Sequence, residues 1–413
     1  MSPATPSSRT HKSLSMAQLA LLIAGAASQG LKIGPSIVEV SPDFNSVFPF
    51  NNFNRNVSVA SWQTNLLNGT SAEVNEDLEF LANATFITYD ESFYELLGVN
   101  SYEDIKEIET IFTFPPPPSY AQRQIHDGTV YIPETDTIFF AELYSPKPGA
   151  YMHAIPFVWQ ISNASTTSAT ASKAYPSPAL TIANGAHYHN GSVYWAQEGN
   201  WSTPGGLVRM DPFTLKTEPV QNNFYGHRFN SPNDVVVSDT GRAYFTDGYY
   251  GRDNFKDSLE PELANGVYRW DLQTGNIRMV AGAADGTLFN PNGVAFNAEQ
   301  TRLFVTMRGF ASGDADGGRT MFAYDITENG LANRQVFAYV DSGFPDGIKT
   351  DKDGRVYGAV TGSVDVFDEY GTLLGRIKVD KDDVAVNMVW VGDHLYIVGR
   401  NKVYRVQLNT KER

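Results

Sequence analysis

Cysteine is absent from the 413-residue sequence, so disulfides, thiolate metal sites and a catalytic thiol are all excluded, and stability has to come from a packed core. Basic residues are scarce, 31 against 46 acidic ones, and the formal charge is -15. A surface of that sign does not neutralise phosphates, so nucleic acid is not an expected partner. Long apolar runs are lacking as well. The run from Met16 to Ala27 reaches only about 18 Å as a helix, well short of a bilayer core. No membrane span is expected.

That run follows Arg9, His11 and Lys12 and leads into Ala24-Gly25-Ala26, the layout of a secretory leader. Residues 1–28 are therefore expected to be a signal peptide and the mature chain to be extracellular. Six Asn-X-Ser/Thr acceptors, at Asn56, Asn68, Asn83, Asn163, Asn190 and Asn200, agree with an N-glycosylated protein. Residues 29–119 read as an irregular N-terminal extension partly packed on the main domain. It has one helix-like stretch near Glu91 to Ile111 and a proline run at Pro115 to Pro118 that excludes helix.

From residue 120 to 413 the sequence changes to short alternating apolar runs divided by Gly, Asp and Asn turns, such as SVYWAQEG, GRAYFTDG and GRVYGAVTG. This is the pattern of many antiparallel strands. A small polar residue precedes most runs: Asp127, Asn184, Asn233, Asn292, Asp346 and Asn387, at spacings of 57, 49, 59, 54 and 41. A second repeat, GLVRMDPFT, GVYRWDLQTG, MFAYDIT, SVDVFDEYG and KVYRVQL, supplies one outer strand per unit. The fold class is all-β, a six-bladed β-propeller with an N-terminal extension. The innermost strand of each blade starts near the axis, so these Asn and Asp side chains should converge there. Their oxygens suit a hard cation, Ca²⁺ above all, with Mg²⁺, Mn²⁺ or Zn²⁺ as alternatives.

The segments FNSPNDVVVSDTGRAYFTDGYYG (Phe229 to Gly251), FNPNGVAF (Phe289 to Phe296) and PDGIKTDKDGRVYGAV (Pro345 to Val360) resemble, in order, three motifs of the SMP-30/gluconolactonase/lactonohydrolase family, in particular its secreted fungal members. The resemblance implies a divalent metal, usually calcium, and hydrolysis of sugar lactones or other small cyclic esters. It places metal ligands at Asn233, Asn292 and Asp346 by identity. It puts Asp127 where the family has Glu, one carbon shorter. Asp346 is then also the candidate catalytic residue, as ligand, base or nucleophile.

Other candidates are weaker. His126, Asn184, His227 and Arg228 are candidate substrate-binding residues, His126 despite its opposite strand parity to Asp127. Asp234 is expected to orient Asn233. His187 and His189 share a strand face but lack a third ligand for zinc. Asp351 to Gly354 and Asp314 to Gly317 read as hairpin turns. Trp195 is expected in the core, with Trp201, Tyr249 and Tyr250 open. Two other functions compete with a metal-dependent lactonase acting on a small-molecule lactone. One is non-hydrolytic biosynthetic chemistry, a condensation or cyclisation as in strictosidine-synthase-like propellers. The other is a non-catalytic metal-containing binding module. Oligomeric state is not legible.

Overall fold

The computed structural model describes residues 30–42, 79–117, 119, 121–146, 157–255, 259–282, 288–309, 318–340 and 343–412. The expected leader (1–28), the acceptors Asn56 and Asn68 and the turn at Asp314 lie outside the described residues. Among the described residues no helix is long and apolar enough to cross a membrane.

The chain is an all-β propeller. Five of its sheets have four strands each. Sheet I comprises Ala121–Ile132, Thr137–Pro146, Val158–Ser162 and Thr170–Ala174; sheet II comprises Ala183–His189, Ser192–Gln197, Gly206–Met210 and Thr217–Gln221. Sheet III is Pro232–Val237, Arg242–Asp247, Gly266–Asp271 and Ile277–Gly282, and sheet IV is Pro291–Phe296, Arg302–Met307, Thr320–Thr327 and Gly330–Tyr339. Sheet VI is Ala385–Val391, His394–Gly399, Lys402–Gln407 and, from the far N-terminal side of the chain, Glu109–Thr113. The second repeat noted in the sequence forms the third strand of its sheets, and Asp211, Asp271 and Asp368 cap the turns that follow by accepting backbone N–H groups.

Sheet V departs from the expectation of six like blades. It has seven strands: Ile348–Thr350, Val356–Val360, Ser363–Phe367 and Leu373–Lys378, then Phe86–Thr88, Ile37–Val40 and Leu31–Ile33. The reason is edge protection. Phe86–Thr88 pairs antiparallel with the otherwise open edge of Leu373–Lys378, so its N–H and C=O groups are satisfied within the chain. Residues N-terminal to position 119 thus complete one sheet and enlarge another.

Second strands such as Arg242–Asp247, Arg302–Met307 and His394–Gly399 are buried from their second residue to their last. Both faces of a blade pack on neighbouring blades, so these strands are buried on both sides instead of alternating between core and solvent as expected. Outer strands such as Thr170–Ala174 alternate. Trp195 is fully buried, as expected.

The helix expected between Glu91 and Ile111 is only Ser92–Leu97. Gly98, at φ 71°, takes the left-handed conformation that closes it, and its N–H bonds back to Glu95 and Tyr94. The remainder is loop and the strand Glu109–Thr113, whose register sets Glu109 beside Arg405 for an Arg405 Nε to Glu109 hydrogen bond of 2.8 Å. Three described glycosylation acceptors, Asn83, Asn163 and Asn190, are exposed. Asn200 is half-buried, its Oδ1 accepting from the N–H groups of Ser202 and Thr203.

The helix docks on sheet V through Phe93, whose ring lies where a Cβ on Gly375 would come within 2.3 Å. Phe93 is fully buried. Phe93→Ala should cost about 3–5 kcal/mol in a denaturant titration, as for other buried Phe truncations. A loss under about 1 kcal/mol would mean that the extension contributes little to the propeller's stability.

Candidate functional site: the axial cavity

Adjacent innermost strands approach each other too closely at the axis for ordinary side chains. A Cβ on Gly128 would meet the Asn184 carbonyl oxygen at 1.8 Å, one on Gly185 would meet Asp234 Cα at 2.4 Å, one on Gly293 the Asp346 oxygen at 2.5 Å, and one on Gly347 Asn387 Cγ at 2.4 Å. Each of these glycines therefore lets the next strand's leading polar residue come close. The pairing registers also slip beside five of the leading residues, between Asp127 and Val130, Ala183 and Ala186, Pro232 and Val235, Pro291 and Val294, and Ala385 and Asn387. Such bulges re-aim a side chain out of the regular alternation. Threonines fasten the contacts: Thr246 donates to the Asn292 carbonyl at 2.6 Å, Thr306 to that of Asp346 at 2.8 Å, and Thr129 to that of Met388 at 2.7 Å.

The result is a cavity of about 50 Å³. Asp127, Asn184, Asn233, Asn292 and Asp346 all line it, and Asn387 reaches it indirectly by donating its Nδ2 to Asp127 Oδ1 at 2.6 Å. The same Asp127 oxygen accepts the Gly128 N–H at 2.7 Å. Asn184 donates Nδ2 to Glu198 Oε1 at 2.7 Å. The Oδ1 atoms of Asn184 and Asn233 are buried and have no hydrogen-bond partner. Two orphaned amide oxygens beside carboxylates are costly unless a donor or cation meets them.

Burial, and then the Asp346 carboxylate, push Asp127 well above the ordinary range, against hydrogen bonds from Asn387 and Gly128. Burial also lifts Asp346, to about 6, although a hydrogen bond from Asn292 and the charges of Arg308 and Arg400 pull the other way. Asp234 is raised by burial too, against Lys349 and two backbone N–H groups.

Sequence reasoning missed Glu198, Arg308, Arg400 and Phe344, which also line the cavity. None lies in the leading-residue repeat. Glu198, Arg308 and Arg400 each directly follow a second strand, ending at Gln197, Met307 and Gly399, and that shared register was the available signal. Tyr250 lines the cavity as well, its hydroxyl donating to the Asn290 carbonyl at 2.9 Å.

Two expectations, for His126 and Asp234, are corrected. His126 does not face the cavity. It is fully buried inside sheet I, stacked on Phe114 at 3.4 Å with Nδ1 3.3 Å from the Gly399 oxygen, because its parity turns it away from Asp127. His227 and Arg228 do not line the axial cavity but sit on a short hairpin with Asn223–Phe224, where Arg228 borders a neighbouring pocket that Glu198 also lines. There His227 is exposed and faces Glu262 at 3.5 Å, while Arg228 donates to the Asn200 carbonyl at 2.9 Å. Asp234 bonds backbone rather than Asn233: Oδ1 accepts from Val235 at 2.8 Å and Oδ2 from Val294, on the next sheet, at 3.0 Å. Of the open aromatics, Trp201 is exposed and Tyr249 stacks beneath Arg252. His187 and His189 border a separate cavity of about 610 Å³ with Lys349, and burial pushes His187 down to about 3. Asp351 is a turn residue, accepting from the N–H groups of Asp353 and Arg355.

The donor set is oxygen only. Among the described residues no three His, Cys, Asp or Glu side chains form a metal-binding group, so amides must supply part of any shell. That chemistry fits a calcium-like ion.

A carboxyl whose pKa is higher folded than unfolded adds stability below its unfolded value, near 3.8, and loses it as pH rises through its folded value, about 6 for Asp346. In chelator the protein should therefore lose thermal stability between about pH 4 and 7, and added calcium should recover most of the loss at pH 7. Identical pH profiles with chelator and with calcium would show that no cation meets these carboxylates.

Comparison with known proteins agrees with this architecture. The family model described as SMP-30/Gluconolactonase/LRE-like region matches residues 124–399. Lactonohydrolase oryL of Aspergillus oryzae is 27% identical over 83% of this chain and 78% of its own length. A gluconolactonase of Zymomonas mobilis is 30% identical over 54% of this chain and 61% of its own. The solved structure of a gluconolactonase from Xanthomonas campestris superposes with a TM-score of 0.60 at 21% identity, over 78% of this chain and 94% of that one. With its model covering two thirds of the sequence and its propeller shared, the SMP-30/gluconolactonase family is the one to which this chain belongs.

Proposed function

We propose that this protein hydrolyses a lactone at the axial cavity with a divalent cation, most suitably calcium. We count the seven-stranded sheet as the sixth blade of the ring, since Ile348–Thr350 to Leu373–Lys378 form a four-stranded antiparallel meander like the others. The observation that carries the reading is the pair of buried, unpartnered amide oxygens of Asn184 and Asn233, set on a cavity they share with Asp127 and Asp346. Asn233, Asn292, Asp346 and Asp127 would hold the ion, with Asn184 beside them. Bound there, a divalent cation supplies Lewis-acid polarisation of a carbonyl and a lowered pKa for water.

The side chains account for the proton. Asp346, whose charged form is favoured by the Asn292 hydrogen bond and by Arg308 and Arg400 and would be favoured further by the cation it holds, accepts a proton from the attacking water. The water oxygen bonds to the acyl carbon, the ring acyl–oxygen bond breaks, and the ring oxygen takes the proton back from Asp346 to leave as the alcohol of a hydroxy acid. Apolar Ile125, Leu143 and Val386 on the lining limit bulk water and strengthen charge interactions inside.

A lactone panel assayed with the purified protein, after chelation and after calcium is restored, tests the reading. Activity should vanish and return. Asp346→Asn should lower kcat by about 10²- to 10⁴-fold, the usual contribution of a positioned base. Full folding and one bound calcium per chain, with no lactone opened, would sink the proposal.

A further inference from the structure

We propose that the lactone opened here carries a carboxylate, and that Arg308 and Arg400 select it. The inference rests on the lactonase reading and names its substrate class. Arg308 and Arg400 are the only cationic side chains among the described residues lining the axial cavity. Arg308 is held against aromatic faces, 5.6 Å from the Tyr250 ring and 5.3 Å from that of Phe344, which fixes the plane of its fork. Arg400 Nε is buried without a hydrogen-bond partner. A buried guanidinium donor left unmet is unfavourable, and an incoming carboxylate satisfies it in bidentate geometry.

The two cations also disfavour each other: Arg308 is among the groups that lower Arg400, after burial. Asp346 offsets part of that repulsion, its charge acting on both guanidinium groups, and the Nε of Arg400 is the donor left for a further anion.

The test compares γ-butyrolactone bearing a γ-carboxylate with its uncharged carboxamide, using calcium-loaded protein. The carboxylate should be preferred in kcat/KM. Arg400→Gln should cut that preference by about 10- to 100-fold, mainly through KM, as expected for a lost hydrogen bond to a charged group. Arg308→Gln should act in the same direction, and Arg400→Lys should keep part of the preference because it retains charge without the fork. Calorimetry with hydroxyglutarate, the ring-opened dicarboxylate, reads the same site without turnover. It should bind the wild type and lose affinity in Arg400→Gln.

Preference for the carboxamide overturns the inference and leaves the lactonase standing, as does an unchanged preference in Gln variants that melt like the wild type. If neither lactone opens but hydroxyglutarate binds and Arg400→Gln abolishes binding, the anion site holds and the lactonase reading fails. Absence of both turnover and binding overturns both.

Discussion

The close approach of the innermost strands around the axis is the constraint on which the rest of the molecule depends. At Gly128, Gly185, Gly293 and Gly347 a Cβ would lie 1.8–2.5 Å from the neighbouring strand, far inside contact distance. Only glycine fits there. Each such glycine follows a residue that lines the axial cavity, and bulges at five strand starts re-aim the leading side chains. The polar centre is thus a consequence of ring closure rather than an addition to it. Thr129, Thr246 and Thr306, each bonding a backbone carbonyl of a neighbouring sheet, make the same contacts directional.

Electrostatics follows from that geometry. Carboxylates at Asp127, Asp234 and Asp346 are forced out of water, and burial is the first cause of the raised pKa in all three. Asp234 adds to the repulsion, its charge raising both Asp127 and Asp346, while its oxygens bond the backbone of Val235 and Val294 and so join sheets III and IV. The chain offsets the repulsion in two ways. Arg308 and Arg400 are brought in from the ends of second strands, and both pull Asp346 down against burial. A neutral amide occupies the remaining leading positions, which keeps the like charge at the axis within what two guanidinium groups can offset.

Much of this was legible in the sequence because ring closure repeats. The leading residues Asp127, Asn184, Asn233, Asn292 and Asp346 could be read from spacing alone, and they all line one cavity. The outer strands were equally plain from their Asp turns. What could not be read was anything set by contact between distant segments. Sheet V gains Phe86–Thr88 only because the edge of Leu373–Lys378 is open, and nothing local in either segment names the other. The short helix deceived for a related reason: its apolar residues Phe93, Leu96 and Leu97 are buried against sheet V, while Gly98 ends it earlier than its composition suggests.

Asp127 shows how one substitution redistributes roles around a closed ring. Its side chain is one carbon shorter than the Glu expected from the family pattern, and its Oδ1 is already taken by Asn387 and Gly128. A third lining carboxylate, beside Asp127 and Asp346, comes from Glu198 just after Ser192–Gln197, and it accepts from Asn184 Nδ2 at 2.7 Å. That bond turns the Asn184 amide so that its oxygen, not its nitrogen, is the atom left without a partner. Glu198 therefore acts on the cavity through Asn184 as well as directly. A carboxylate shortened on sheet I is accompanied by an amide oriented from sheet II, and the oxygen character of the axis is kept without a longer side chain at position 127.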